Sequence, residues 1–218
     1  MSIILSKPVR WKVAQHAELR WWKNYLQSRP PEKYLAWKKN YWLKFLDTLP
    51  ESLRHLNGKE VLDAGCGPAG IFMVLDQCRV DAVDPLLDAY ATALPHFRTE
   101  WYSYTRFHSA SLEDYTSQNK YDITFCLNAI NHVANIDKAL DRMIASLKEG
   151  GRLVMSIDAH NYRLLKAIFR LIPGDILHPH QYDIREYEQM LEKRGLRIQN
   201  RILAKKESIF SYYVLVAG

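Results

Sequence analysis

Two aspartates and two glycines carry the clearest chemical signal in the 218-residue chain. Asp63, Gly65 and Gly67 alternate just after the apolar pair Val61-Leu62, and Asp84 closes the next apolar run, Val80-Asp81-Ala82-Val83, 21 positions beyond Asp63. A carboxylate about 20 residues past a glycine turn sits at the offset that reaches ribose hydroxyls. The glycines admit positive φ and leave no Cβ between backbone and ligand. The spacing is not the dinucleotide pattern G-x-G-x-x-G, because Ala69 stands where a third alternating glycine would be and Gly70 follows it. A second constellation, Asn128-Ala129-Ile130-Asn131-His132, follows the apolar run Tyr121–Leu127 and offers in His132 a base poised near neutral pH. His178 and His180 lie two apart, but no third ligand stands at a recognisable metal spacing, so no metal is expected.

Strands and helices must bring these residues together. Val61 and Leu62 suit a buried parallel strand, and Pro68 fits the first turn of a helix expected to run through Ile71, Phe72, Val74 and Leu75. Strand 80–83 leads into a helix expected over Pro85–Phe97, then strands at Thr105–Ser109 and Tyr121–Leu127. A helix from Asp137 to Lys148, ended by Gly150-Gly151, precedes a strand at Arg152–Ile157. A helical pattern at 162–171, a turn at Pro173-Gly174, a helix at Ile184–Arg194 and strands near Leu196–Ala204 and Ile209–Val216 complete the chain. In such α/β sheets ligands bind beyond the carboxyl ends of the strands, which places 63–67, 84 and 128–132 on one rim.

The stretch Asp63-x-Gly65-x-Gly67, with its acid two residues before the first glycine, resembles motif I of the class I S-adenosylmethionine-dependent methyltransferases. The resemblance runs from about Gly58 to Gly218. It implies a seven-stranded, mostly parallel Rossmann-like sheet with helices on both faces and a C-terminal antiparallel hairpin. It further implies S-adenosylmethionine as cofactor and S-adenosylhomocysteine as product, held by Asp63, Gly65, Cys66, Gly67 and Asp84. Pro85 takes the place of residues that pack on the adenine. Ala110-Ser111-Leu112-Glu113-Asp114 resembles the family's acidic stretch, with Ser111 or Leu112 where an adenine-contacting acid usually stands; Ser111 also reads as the N-cap of a short helix. Asn128 is similar to the residue whose backbone holds the methionine moiety. His132 is the candidate base, with Asp137 and the following helix as a structural alternative for it. His178, His180 and Tyr182 resemble an H-x-x-x-Y-type substrate loop.

Charge is unevenly divided. Residues 1–57 hold eleven Lys and Arg against four acids, and the remainder holds nineteen against twenty, so the net charge of +6 comes entirely from the N-terminal segment. Five of the six tryptophans lie there too. Two helices are predicted, about 10–28 and 32–48, broken at Arg29-Pro30-Pro31. In the second, Tyr34, Trp37, Tyr41 and Phe45 form an aromatic stripe with Lys33, Lys38, Lys39 and Lys44 largely off it. Residues 1–57 therefore read as a helical extension on a domain at 58–218, either packed on the sheet or serving as a lid, with Trp37 and Tyr41 as substrate contacts.

The three cysteines, Cys66, Cys78 and Cys126, form no C-x-x-C pair and read as buried thiols of a reducing compartment. No apolar run approaches a membrane span, and a cytoplasmic location is expected. The basic segment would suit nucleic acid, yet no recognised RNA-binding module is present. The function expected is methyl transfer to a small molecule, with an acidic or an amphiphilic acceptor both open. RNA or protein methylation and a non-catalytic scaffold that keeps the fold are the alternatives.

Overall fold

The computed structural model describes residues 7–160, 182–207 and 210–218. The helical pattern at 162–171, the turn at Pro173-Gly174, and His178 and His180 lie outside them. Helices α1 (Lys7–Gln27) and α2 (Pro31–Thr48) come first, followed by β1 (Glu60–Ala64), β2 (Arg79–Val83), α3 (Leu87–Ala93), β3 (Thr105–His108) and β4 (Tyr121–Leu127). Helix α4 (Ile136–Ala145), β5 (Leu147–His160), α5 (Ile184–Glu192), β6 (Ile198–Lys206) and β7 (Phe210–Ala217) complete the order. The seven strands form one sheet in the order β3-β2-β1-β4-β5-β7-β6. β3 through β5 are parallel, whereas β7 runs antiparallel to both β5 and β6, the C-terminal hairpin expected from the sequence. The order reverses at β1, so β1 and β4 flank the crevice where an open α/β sheet holds its ligand.

The helix expected after the glycine turn does not form. Two short 3₁₀ turns, Gly67–Ala69 and Ile71–Val74, stand there instead. Between them Gly70 is extended, and a Cβ on it would lie 2.4 Å from Asp63 Oδ2. The Asp63 carboxylate accepts from the Phe72 N–H at 3.0 Å, taking a donor that an α-helix would use. Side chains from elsewhere complete the accounting: Trp42 Nε1 donates to the Ala69 carbonyl at 2.9 Å and Tyr104 OH to the Phe72 carbonyl at 3.1 Å.

Helix α2 packs against these turns. Tyr34, Trp42, Phe45 and Leu46 are its buried residues, so the inward stripe is shifted from the one predicted: Trp42 replaces Trp37, which is half exposed at 52%. These side chains and Leu26 of α1 share one apolar cluster with Val61, Phe72 and Val80 of the sheet domain. The N-terminal segment is thus continuous with the core on that face. On the other face Leu62, Val83, Leu140, Met143, Tyr187 and Leu191 pack together from the sheet, α4 and α5.

Other boundaries shift for local reasons. The helix after Asp84 spans only Leu87–Ala93, because Leu94 is already extended. Helix α4 ends at Ala145 rather than Lys148, since Leu147 pairs with Tyr121 and draws the chain into β5 through a bulge. Asp81 faces the interior of β2, where burial raises its carboxyl but hydrogen bonds from His108, Arg106 and Tyr121 together hold it below the usual range.

Replacing Trp42 with alanine is expected to cost about 3–5 kcal/mol of stability, the range for emptying a buried indole site. Trp42→Phe leaves the Ala69 carbonyl without its donor and is expected to cost about 1–3 kcal/mol. Urea unfolding measures both, and a Trp42→Ala loss below about 1 kcal/mol would show that the indole does not anchor α2.

Candidate functional site

The glycine turn owes its shape to three different constraints. Gly65 (φ +71) has to be glycine because a Cβ there would meet the Ala129 Cβ at 2.2 Å, so the turn interlocks with the loop after β4. This is a structural reason for glycine at 65 beside the one expected from the sequence, and Gly65 still lies on the cavity wall. Gly67 (φ +57) is the less crowded of the two: a Cβ there would meet only Trp22 Cζ2, at an ordinary contact distance of 3.7 Å. Gly70, unassigned from sequence, makes room for the Asp63 carboxylate.

Asp84 ties the turn to the end of β2. Its Oδ2 accepts from the Gly67 N–H at 3.0 Å and its Oδ1 from the Leu86 N–H at 2.9 Å. Each carboxylate oxygen retains a lone pair for a ligand hydroxyl. Burial pushes the Asp84 carboxyl up to about 7, with the nearby Glu18 adding to the rise and the two backbone N–H groups opposing it. Asp63 is also raised to about 7, chiefly by burial and then by Asp84, against the Phe72 and Ile71 N–H groups and the charge of Lys38.

A cavity of about 330 Å³ opens over this turn. Gly65, Cys66, Gly67, Asp84, Pro85, Ser111, Leu112, Asn128 and His132 all lie on its wall, so residues predicted from four separate stretches meet in one place. The opposite wall comes from α1 and α2 and includes Glu18, Trp22, Trp37 and Lys38. Asp63 and Tyr41 are not on the cavity surface; Asp63 lies beneath the turn. Tyr182 packs edge-on against Tyr187, 5.6 Å between ring centres, and is likewise not on that wall.

The other predicted residues have definite local settings. Ser111 Oγ accepts from the Asp114 N–H at 3.2 Å and donates to Asp114 Oδ2 at 2.8 Å, a turn-stabilising pair with no α-helix behind it. The acid of this stretch that reaches inward is Glu113, whose Oε1 accepts from the N–H groups of Ala134 and Asn135 and so fastens the loop after β3 to the start of α4. Asn128 has φ +56, a left-handed conformation that asparagine tolerates better than most residues. Its N–H donates to Ser156 Oγ at 3.0 Å. His132 ends the 3₁₀ turn Ile130–His132, and Tyr187 OH donates to the side chain of the adjacent Asn131. Asp137, considered as a partner for His132, ion-pairs with Arg194 at 2.7 Å, and Asn135 supplies the α4 N-cap.

Lys38 departs most from its sequence reading. It is half buried, with Nζ 4.4 Å from the Trp42 ring centre and 4.6 Å from that of Tyr41. Burial lowers its pKa to about 8, with Asp63 opposing. Lys39 is exposed. Glu18 was also missed. Tyr90 OH donates to its Oε1 at 3.4 Å, and burial raises its carboxyl above the usual range against hydrogen bonds from Tyr90 and Trp22. A single acid on a basic helix gives no sequence signal for either contact.

Among the described residues no group of three His, Cys, Asp or Glu could hold a metal ion, and no helix is long and apolar enough to cross a membrane.

Comparison with known proteins agrees with this geometry. A family profile described as a methyltransferase domain matches residues 34–200. The chain belongs to that family, the class I S-adenosylmethionine-dependent methyltransferases. Among curated relatives, ubiquinone biosynthesis O-methyltransferases from Rickettsia akari and Nitrobacter winogradskyi are 30% and 32% identical over 47% and 54% of this chain. The chain spans less than half the length of these two relatives, 41% and 45%. A solved 1,6-didemethyltoxoflavin-N1-methyltransferase from Burkholderia thailandensis, with S-adenosylhomocysteine bound, superposes with a TM-score of 0.65 at 18% identity, covering all of this chain and 92% of that one. The fold is also shared by a [4+2]-cyclase, SpnF, with TM-score 0.63 at 14% identity, covering 80% of this chain and 79% of that one.

The raised Asp84 carboxyl gives a pH signature. With a folded pKa near 7 against an ordinary 3.8, the folded ligand-free protein holds a proton that the unfolded chain has lost between those values. Stability from this group is therefore greatest near pH 4, falls as pH rises through 7 and is level above it. Asp84→Asn, neutral throughout, is expected to raise Tm at pH 8 and to lose that advantage toward pH 4, with roughly 2–4 °C for each kcal/mol relieved. A Tm difference unchanged between pH 4 and 8 would exclude a buried, proton-holding Asp84.

Proposed function

We propose that the chain transfers the methyl group of S-adenosylmethionine to a small, acidic or amphiphilic molecule held beneath α1 and α2. The cavity over Gly67 carries this reading. Its wall combines bare backbone at Gly67, a buried carboxylate at Asp84 and aromatic rings from two covering helices, and its volume lies in the range of small-molecule sites. Small acceptors are also what the names of the ubiquinone and toxoflavin methyltransferases carry.

The residues present fit the cofactor. Asp84 has lone pairs for the ribose hydroxyls, Gly65-Cys66-Gly67 offers backbone, Pro85, Ser111 and Leu112 form the adenine side, and Asn128 stands at the methionine side. Asp63, under the turn, contributes negative charge near a ligand that bears a sulfonium. When bound, S-adenosylmethionine supplies an electrophilic methyl group. The protein's own task is orientation and exclusion of water: Trp22 and Trp42 dry the site, and α1 and α2 hold the acceptor against the turn. Lys38 holds an anionic group of the acceptor, and His132 takes a proton from an oxygen nucleophile.

Purified protein, incubated with labelled S-adenosylmethionine and fractionated cell metabolites, tests the reading. It predicts label in one class of small acidic product; cofactor binding with no transfer in any fraction would refute it. Two variants refine it. Asp84→Ala is expected to weaken both S-adenosylmethionine and S-adenosylhomocysteine by about 1.5–3 kcal/mol in calorimetry; loss for the methyl donor alone would put Asp84 at the sulfonium instead. Lys38→Met is expected to raise the acceptor KM roughly tenfold or more while Lys39→Glu leaves it level, which separates the half-buried amine from the exposed one. Equal effects of the two would mean that only the general positive field matters.

A further inference from the structure

Glu18 is on α1, while Asp84 and Gly67 belong to the sheet domain; all three lie on the cavity wall. Tyr90 OH reaches Glu18 Oε1 at 3.4 Å from α3. Trp22, one turn after Glu18, lies 3.7 Å from the Cβ position of Gly67, whose N–H is already donated to Asp84. Two carboxylates from different parts of the chain thus approach the same bare turn, and the lysine on that cavity wall, Lys38, acts on Asp63 beneath it. Paired acids are costly to bury, and they are relieved by a ligand that offers two adjacent hydroxyl donors.

We propose that Glu18 is a cofactor-positioning residue carried on a closing helix: with Asp84 it brackets the ribose diol, so that bound cofactor holds α1 down over the site. This rests on the reading of the cavity as the S-adenosylmethionine site and assigns α1 to the cofactor, where the aromatic residues around it concern the acceptor. Closure then follows cofactor binding rather than acceptor binding. The order of events is imposed by the position of one carboxylate.

Protons report the bracket. Glu18 helps burial raise the Asp84 carboxyl to about 7, and hydroxyl donors favour the ionised form, so binding expels a proton near pH 7. The groups facing the pair are Asp63 below the turn, Lys38 on α2 beside Asp63, Tyr90 on α3 and the Cys66 thiol, which burial pushes well up. Titrating S-adenosylhomocysteine into the full chain, in two buffers of different ionisation enthalpy, measures the release. Hydrogen exchange of α1 amides with and without S-adenosylhomocysteine measures closure.

Wild type is expected to release protons and to gain protection in α1. Glu18→Gln, which keeps the shape and an acceptor for Tyr90, is expected to bind about tenfold more weakly, release fewer protons and lose most of the α1 protection. Glu18→Ala is expected to do the same to a greater degree. Wild-type affinity, proton release and α1 protection in both variants would overturn the inference, as would absence of α1 protection in wild type. Asp84→Asn separates the two levels: if it weakens S-adenosylhomocysteine while the Glu18 variants do not, only the role of α1 falls. If Asp84→Asn also binds as wild type, the cofactor site itself is misplaced.

Discussion

The hydrogen bond from the Phe72 N–H to the Asp63 carboxylate governs the architecture of this protein. It places a buried acid directly under the turn after β1, and it demands a glycine at 70, where any side chain would collide with that acid. With its first donor captured and Gly70 extended, the segment after the turn folds as two 3₁₀ pieces. The surface left open is covered by α2, whose Trp42 takes up the Ala69 carbonyl. An N-terminal helix is therefore part of the core, and the cavity above the turn has a second wall that the sheet alone would not provide.

Electrostatics follows from the same burial. Asp63 and Asp84 are each near their midpoint at neutral pH because little water reaches them and each carboxylate repels its neighbours. Backbone donors compensate only in part. Lys38 answers the charge from across the cavity, held over two aromatic rings, and its own burial lowers its affinity for a proton. The site thus stores unfavourable charge that a ligand with positive charge and hydroxyl donors would relieve, and this is the sense in which the residues fit S-adenosylmethionine.

Much of this was legible in the chain because it rested on local patterns. β4 was read at Tyr121–Leu127, and α2 was read within a residue from the break at Pro30-Pro31. The acid-glycine spacing led to the family. What escaped depended on contacts between distant segments. Nothing near Gly65 announces Ala129 as its neighbour, and nothing in a run of lysines tells Lys38 from Lys39 until Trp42 and Tyr41 fold against one of them. The expected helix after Pro68 failed for a similar reason: its apolar residues and N-terminal proline were sound, but a carboxylate nine residues earlier took its N–H. Glu18 is a single acid among bases, and its meaning appears only beside Tyr90 and Asp84.

The three cysteines carry a practical consequence. All are free and buried, and burial raises each thiol, Cys78 to about 11 and Cys126 to about 12, so little thiolate is present at neutral pH. Maleimide-type reagents should therefore pass over the folded chain and react once it opens, making its native thiols a clock for unfolding. A cysteine introduced on the outer surface would accept a fluorophore selectively without removal of the native three. Cys66, in the turn beneath α1, adds spatial resolution, since its labelling under native conditions times the exposure of the cavity rather than the loss of the whole fold.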